Sequence, residues 1–220
     1  MARSCSTGVA AKRLQSQHRK LGPDMAFKIL VFYGSYRTSR VGIRLANYAV
    51  GALAAHGYEA ELIDARAVDL PMLDRMYKEY PLGTAPAEME TLATKIRRAD
   101  AFLFVCGEYN WGVQPGLKNL TDHFLEEWFW RPAAVISYSA QRTGGARANV
   151  AWHGTLSEMG MVVISSSLSI GPIAQALDAD NKPIGETGAY LQKAFSRVAE
   201  DLKWWTEAAH AQRENRKPPY

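Results

Sequence analysis

Three polar loops contain the residue types that could carry chemistry. The first, residues 34–40 (GSYRTSR), combines hydroxyl groups and two arginines just before a helical pattern. Hydroxyls, guanidinium groups and the free amides of a helix N-terminus favour binding of an anion such as a phosphate. The loop lacks the GxGxxG and Walker A patterns, which disfavours a dinucleotide fold and an ATPase. Alternatively, Ser35, Thr38 and Ser39 are ordinary helix N-caps and the arginines are solvated.

The second loop, residues 107–119 (GEYNWGVQPGLKN), follows an entirely apolar run. Its three glycines permit unusual backbone angles, and Tyr109 and Trp111 offer flat surfaces to a planar ligand. Glu108 is a candidate general base, although no second titrating group accompanies it. Alternatively, the loop is a long entry to a helix with aromatic side chains packed beneath it. The third loop, residues 139–146 (SAQRTGGA), has paired glycines and polar donors.

Alternating apolar runs and amphipathic segments must position these loops. Strands are predicted at 27–32, 58–63, 101–106, 133–138 and 161–166, and helices at 41–55, 87–98, 117–129, 147–159 and 189–212, with a long loop at 64–86. This alternation predicts an α/β fold with a five-stranded parallel sheet covered by helices on both faces. Ligands bind beyond the carboxyl ends of such strands. Because the three loops follow strands one, three and four, we expect them to share one site.

The net charge of +4 is confined to the start of the chain. Residues 1–24 hold five basic side chains and one acidic one, while the rest of the chain holds 21 of each. We therefore expect no nucleic-acid partner. Residues 1–24 are predicted to be a flexible basic tail, with a transit peptide or a non-native upstream start as alternatives. One domain is expected over residues 25–212, followed by a frayed end at 213–220.

Composition excludes several classes of protein. Apolar and charged fractions of 47% and 22% are those of a globular chain rather than a disordered or fibrous one. No apolar stretch approaches the roughly 18 residues of a membrane span, so we expect a cytoplasmic protein without a membrane partner. Cys5 and Cys106 cannot form a disulfide framework or a Cys-rich metal site, and no metal is expected. His56, His123 and His153 are interpreted as packed or surface residues rather than proton donors.

Three blocks of residues carry a family resemblance. They are Gly34-Ser35-x-Arg37, then Glu108-Tyr109-Asn110 followed by Pro115-Gly116-x-Lys118-Asn119-x-x-Asp122, then Ser139 with Gly144-Gly145-Ala146-Arg147. In these blocks, residues 27–174 resemble the NADPH-dependent FMN reductase family, and the second block is the most specific part. Two positions depart from the family pattern. Gly107 replaces the proline that commonly precedes Glu-Tyr-Asn, and Trp111-Gly112 replaces small polar residues.

The resemblance implies a flavodoxin-like fold, bound FMN, and assembly into a homodimer or homotetramer. It implies hydride transfer from NADPH or NADH to FMN, and then reduction of free flavin, a quinone, an azo compound or a metal oxyanion. FMN carries the reactivity, so no catalytic side chain is expected. The resemblance places the FMN phosphate on the first loop, at Ser35, Arg37, Thr38, Ser39 and Arg40. It places the isoalloxazine against the second loop, at Glu108, Tyr109, Asn110 and Trp111. The third loop would complete the pocket with Ser139, Gly144 and Gly145.

Two further assignments stay open at this level. Arg40 and Arg142 are both candidates for binding the 2′-phosphate of NADPH. Residues 126–130 (EEWFW) are interpreted as part of a subunit interface, with core packing as the alternative.

A non-catalytic flavodoxin-type electron carrier is the main alternative function, although such carriers usually present an acidic surface. A phospho-receiver domain would need an aspartate where the chain has Cys106-Gly107.

Overall fold

The computed structural model describes residues 26–220. The tail predicted at residues 1–24 lies outside the described residues. Within 26–220, the strands are β1 (Lys28–Tyr33), β2 (Glu59–Asp64), β3 (Ala101–Gly107), β4 (Pro132–Tyr138), β5 (Val162–Val163) and β6 (Leu168–Ile170). The helices are α1 (Ile43–Ala55), α2 (Ala65–Val68), α3 (Ala87–Arg98), α4 (Pro115–Asp122), α5 (Ala146–Glu158) and α6 (Gly185–Asn215).

All strand pairs in the central sheet are parallel. The order is β2-β1-β3-β4, and β5 and β6 both pair with the outer edge of β4. Helices α1 and α6 pack on one face of the sheet, and α3, α4 and α5 pack on the other. This arrangement confirms the predicted α/β fold class. Chain order reverses between β1 and β3, and the crevice at the carboxyl ends of these strands is where such sheets bind ligands.

Strand β1 shows why the sheet is covered on both faces. Ile29 and Val31 belong to the core under α1 and α6, whereas Leu30 and Phe32 belong to the core under the other three helices. Successive strand side chains point to opposite faces, so a run of consecutive apolar residues must be buried on both. Every residue of β3 is buried for the same reason.

The fifth strand position differs from the single strand predicted at 161–166. β5 pairs with the start of β4 and β6 with its end. The amide of Ile164 still donates to the carbonyl oxygen of Ala133 on β4 (3.0 Å), and the sheet is interrupted after that residue. The backbone amide of Ser166 donates to the carboxylate of Asp201 on α6 (3.0 Å) instead of to β4. A serine-rich segment therefore interrupts the strand, because a helix side chain supplies the hydrogen-bond partner that β4 would otherwise provide.

The helix predicted at 117–129 forms two elements, α4 and a 3-10 turn at Glu126–Trp128. Polar side chains at the end of α4 form hydrogen bonds with backbone carbonyl groups that would otherwise accept from backbone amides in a longer helix. The Thr121 hydroxyl donates to the carbonyl oxygen four residues earlier (3.0 Å), and Nδ1 of His123 lies 2.7 Å from the corresponding oxygen of Asn119. Such bonds compete with continued helix, and the chain turns at this point.

Trp128 belongs to the core of a single chain rather than to the interface predicted for residues 126–130. Its side chain is completely buried, and its ring centroid lies 5.2 Å from that of Phe32 and 5.0 Å from that of Phe102. The indole N–H also donates to the carbonyl oxygen of Phe124 (3.1 Å). A tryptophan with its polar atom satisfied inside the domain has no surface left for a partner.

The C-terminal helix is longer than the one predicted at 189–212. Helix α6 runs from Gly185 to Asn215, and the indole N–H of Trp130 donates to the carbonyl oxygen of Tyr220 (3.2 Å). The frayed end predicted at 213–220 stays a prediction for the residues after this helix. None of the helices in residues 26–220 is both long enough and apolar enough to span a membrane.

Candidate functional site

The three loops lie together at the carboxyl edge of the sheet. Tyr33 at the end of β1 is in register with Val105 of β3, and Gly107 of β3 is in register with Tyr138 of β4. The segments that follow these strands therefore start side by side. The three segments thus begin at one edge of the sheet, and a site shared by all three stays a prediction.

In the first loop, Gly34 and Ser35 are buried, and Ser35 is the buried residue that carries a polar side chain. Its hydroxyl lies 3.0 Å from the hydroxyl of Tyr109, which joins the first loop to the second. Arg37, Thr38 and Ser39 are exposed and precede α1. The N-cap of α1 is Gly42, and no side chain caps the helix there. The alternative that the loop hydroxyls are ordinary N-caps is therefore wrong, and the exposed hydroxyls of Thr38 and Ser39 remain available to a ligand.

Arg40 points away from the exposed part of the loop. Its Nη1 atom lies 2.7 Å from Oδ1 of Asp64 at the end of β2, and it also donates to the carbonyl oxygen of Ser35 (3.2 Å). The hydrogen bond with Asp64 is the main cause that raises the pKa of Arg40. The structure thus places Arg40 behind the loop, whereas Arg37 lies on its outer side.

The first two loops touch through glycine backbones. A side chain at Gly34 would overlap the backbone of Leu117, the third residue of α4. A Cβ atom at Gly116 would lie 2.5 Å from the carbonyl oxygen of Gly34. Only glycine at both positions allows the N-terminus of α4 to approach the first loop this closely.

The second loop begins with a tight antiparallel turn. The amide of Tyr109 donates to the carbonyl oxygen of Gly112 (2.8 Å), and the amide of Gly112 donates back to Tyr109 (3.0 Å). Both central residues are left-handed, with φ of 48° at Asn110 and 78° at Trp111. Two positive φ values match a type I′ turn, in which asparagine and glycine are favoured and a tryptophan is unusual. Asn110 and Trp111 stand exposed at the tip.

Glu108 and Trp111 are brought together by Arg147 at the start of α5. The Arg147 side chain pairs with the Glu108 carboxylate, and its guanidinium carbon lies 4.5 Å from the centroid of the Trp111 ring. Burial alone would raise the pKa of Glu108, but the hydrogen bond and the charge of Arg147 lower it, and the net shift is downward. Glu108 is therefore an ionised partner of Arg147 rather than the general base considered from the sequence.

The third loop is tightly turned. Gly144 and Gly145 have φ of 61° and 78°, and a side chain on either would collide with the backbone of β6 or β4. The Ser139 hydroxyl donates to the carbonyl oxygen of Gln141 (2.9 Å), and the amide of Gly144 donates to the same oxygen (3.2 Å). The Ser139 hydroxyl and the Gly144 amide thus have partners within the loop.

A cavity of about 370 Å³ lies between the first two loops and the segment after α2. Its lining includes Arg37, Met72, Tyr109, Gln114 and Asn119. Two of the predicted residues, Arg37 and Tyr109, are therefore brought to one cavity. The side chain of Asn119 is held by the segment after α2, because its nitrogen donates to the carbonyl oxygen of Pro71 (2.8 Å).

Sequence reasoning missed a buried polar group behind this cavity. The side-chain nitrogen of Gln114 donates to the hydroxyl of Tyr138 (3.1 Å), which lies 3.3 Å from the hydroxyl of Tyr33. Burial is the main cause that raises the pKa of both phenols, so they stay protonated at neutral pH. Among the described residues, Oε1 of the fully buried Gln114 has no hydrogen-bond partner. The available signal was a polar residue directly before the Pro115-Gly116 pair.

The groups at this site are suited to binding a ligand, and none of them is an activated nucleophile. It offers a guanidinium at one side, buried hydroxyl and amide groups behind, and an aromatic ring at the rim. The thiol of Cys106 lies beneath, and burial raises its pKa well above the usual range, which disfavours the reactive thiolate. A parallel sheet in this order, with the three loops at its carboxyl edge, defines a flavodoxin-like α/β protein.

Comparisons with known proteins agree with this class. Residues 27–175 match the model of the family described as NADPH-dependent FMN reductase, and the chain belongs to that family. The NAD(P)H-dependent FMN reductase ntnL of a Nectria species is 27% identical over 183 residues, which cover 78% of this chain and 88% of the relative. A quinone reductase of Pseudomonas putida is 29% identical over 187 residues, which cover 82% and 97%.

Solved structures confirm the fold. FerB, a flavoenzyme NAD(P)H:(acceptor) oxidoreductase from Paracoccus denitrificans, matches with a TM-score of 0.67 at 24% identity and covers 81% of this chain and 98% of its own. A flavodoxin mutant from Pseudomonas aeruginosa matches with a TM-score of 0.50 at 19% identity, covering 80% and 99%. Family and fold together confirm the predicted reaction class and cofactors: the chain is an FMN-dependent NAD(P)H oxidoreductase.

Proposed function

We propose that the three loops hold FMN and that the enzyme uses NAD(P)H to reduce a small-molecule acceptor. One observation carries the proposed site: the exposed Arg37 and the buried Gln114 line the same cavity, and Oε1 of Gln114 has no hydrogen-bond partner among the described residues. FMN has a phosphate for a guanidinium and hydroxyl and ring N–H donors for an amide oxygen. When bound, FMN supplies the chemistry, since it accepts hydride from NAD(P)H and passes electrons onward.

The protein residues bind and orient rather than react. Arg37, Thr38 and Ser39 are exposed on one loop and are proposed to bind the phosphate. Tyr109, fixed through Ser35, is proposed to separate the phosphate end from the ring end. The remaining predicted contacts, Arg40, Glu108, Asn110, Trp111, Ser139, Gly144 and Gly145, stay predictions.

The acceptor is proposed to be a quinone, another flavin, an azo compound or a metal oxyanion. Similarity to the quinone reductase of Pseudomonas putida makes a quinone the first acceptor to test. The open rim of the site supports this choice, because Trp111 is 65% exposed there.

Self-association into a homodimer or homotetramer is also proposed. Met72 and Leu82 are 80% and 97% exposed on the segment between β2 and α3, and Met72 lines the cavity. Exposed large apolar side chains beside a binding site are typical of surfaces that another subunit covers. Light scattering of the purified protein, compared with Met72→Asp and Leu82→Asp, tests this proposal. The cytoplasmic location and the absence of membrane and nucleic-acid partners stay predictions.

One spectroscopic experiment tests the function. The purified chain is titrated with FMN, then NADPH is added without oxygen, and then 1,4-naphthoquinone is added. We expect FMN to bind, its visible absorbance to bleach with NADPH, and the absorbance to return with the quinone. Absence of binding contradicts the proposed site, and bound FMN that NADPH fails to bleach contradicts the oxidoreductase and favours the electron-carrier alternative.

A further inference from the structure

Trp111 occupies a position that the fold alone does not explain. A type I′ turn is most easily formed by asparagine, aspartate or glycine at both central positions, because L-residues with large side chains resist positive φ. Trp111 nevertheless has a φ of 78° and presents 65% of its surface to solvent. Trp111 thus combines an unfavourable backbone conformation with an exposed apolar side chain. Strain of this kind concentrates at ligand-binding positions.

The indole is also held in place from α5. Arg147, at the start of α5, stacks over the Trp111 ring with 4.5 Å between the guanidinium carbon and the ring centroid. The Arg147 side chain is itself paired with Glu108, whose side chain is only 6% exposed. Two elements therefore fix the ring: the turn holds its backbone and the Glu108–Arg147 pair supports it through one face. A guanidinium over an indole is an attractive contact as well as a steric one.

We propose that Trp111 selects the electron acceptor, by stacking against planar, electron-poor rings such as quinones in preference to compact ions. This inference rests on the proposed function and adds a residue-level basis for choice among the acceptors. An electron-rich indole attracts an electron-poor ring face to face, and burial of both surfaces adds to the contact. A compact ion such as ferricyanide has no flat apolar face. Glu108 balances the charge of Arg147, so the guanidinium beside the indole gives such an ion little net attraction at this position.

The test compares acceptor selectivity in Trp111→Ala, Trp111→Phe and Trp204→Ala at saturating FMN. Trp204 is a matched control because it is 70% exposed on α6. The measured quantity is kcat/KM for 1,4-naphthoquinone divided by kcat/KM for ferricyanide. We expect this ratio to fall about tenfold in Trp111→Ala, since stacking on one aromatic side chain is worth roughly that factor or more. Trp111→Phe should retain most of the ratio, and Trp204→Ala should leave it unchanged.

A binding measurement separates this inference from the proposed function. The Kd of 1,4-naphthoquinone is measured by calorimetry without NAD(P)H, on the FMN-loaded protein and on the protein without FMN. A Kd about tenfold higher in Trp111→Ala than in Trp111→Phe supports the inference, whether it is found with the FMN-loaded or with the FMN-free protein. An unchanged Kd and an unchanged selectivity ratio overturn it even if wild-type protein reduces quinones. Failure of the wild-type protein to bind FMN contradicts the proposed function, and the titration without FMN then still decides the role of Trp111.

Discussion

Arg40 and Asp64 join the first loop to the neighbouring strand through an ion pair of 2.7 Å. The two side chains are only 20% and 11% exposed, so the pair is screened by solvent less than a surface pair. The same carboxylate accepts a hydrogen bond from the amide of Arg66 (3.1 Å) and thus caps α2. One carboxylate therefore positions both the candidate phosphate loop and the start of the segment that borders the cavity.

We expect Asp64→Asn to destabilise the protein by about 2 kcal/mol, because it leaves the largely buried Arg40 without a counter-charge. Urea unfolding of the FMN-free protein measures the change. Glu59→Gln is the matched control, since Glu59 pairs with Lys28 at 3.5 Å with both side chains more than half exposed. That control should change the unfolding free energy by less than about 0.5 kcal/mol. Equal effects of the two substitutions would show that the Arg40–Asp64 pair does not support the fold.

Arg37→Ala should raise the Kd for FMN by about tenfold or more, because a charge-assisted hydrogen bond to a phosphate is worth roughly 1.5–3 kcal/mol. Its effect on riboflavin, which lacks the phosphate, should be within a factor of two. Fluorescence titration with both flavins measures the two constants. Arg98→Ala, an exposed arginine at the end of α3, serves as the control. Equal losses for FMN and riboflavin would refute the phosphate role of Arg37.

Arg142→Ala should weaken the use of NADPH relative to NADH. Arg40 is already paired with Asp64, which leaves the exposed Arg142 in the third loop as the better candidate for the 2′-phosphate. We expect kcat/KM for NADPH to fall about tenfold, as for loss of one charged contact, while kcat/KM for NADH changes little. Steady-state kinetics with each nucleotide provide the comparison. A parallel fall for both nucleotides would assign the residue to the loop structure instead.

Gln114→Leu should separate stability from cofactor affinity. In the FMN-free protein the substitution removes a buried acceptor without a donor, and such an acceptor costs roughly 1–3 kcal/mol. The accompanying loss of the bond to Tyr138 offsets part of this gain, so we expect the unfolding free energy to change by less than about 1 kcal/mol. The Kd for FMN should rise about tenfold. An unchanged Kd would mean that Oε1 does not face the cofactor.

The Glu108–Arg147 pair predicts a pH dependence. Because the pKa of Glu108 is lower in the folded protein, its contribution to stability is fully present above the unfolded-state value of about 4.3 and is lost as pH falls through the folded-state value. The stability difference between wild type and Glu108→Gln should therefore be constant from about pH 7 to 5.5 and shrink in more acidic solution. Urea unfolding between pH 3 and 7 measures it. A difference that grows on acidification would contradict the assigned ionisation.

Sequence patterns located the loops well because the strands before them are strongly apolar. β3 is buried at every residue, and its unbroken apolar run indicates where the second loop begins. Contacts between distant residues were beyond such patterns. The sequence of the first loop does not indicate that Arg40 pairs with Asp64. A tyrosine at a strand end, such as Tyr138, is interpreted from sequence as a core residue, and only the structure shows that its hydroxyl accepts a hydrogen bond from Gln114. The interruption of the fifth strand likewise depends on Asp201, which lies on α6.

The place of β1 in the middle of the sheet has a consequence for synthesis of the chain. β2 can pair with β1 early, but the other edge of β1 is filled only when residues 101–107 have been made. The turn at Gly144 is shaped by β6, which ends at Ile170. A nascent chain therefore cannot complete the three loops until it extends past residue 170. The complete set of loops can therefore form only late in translation, and pairing over such sequence distances is slow.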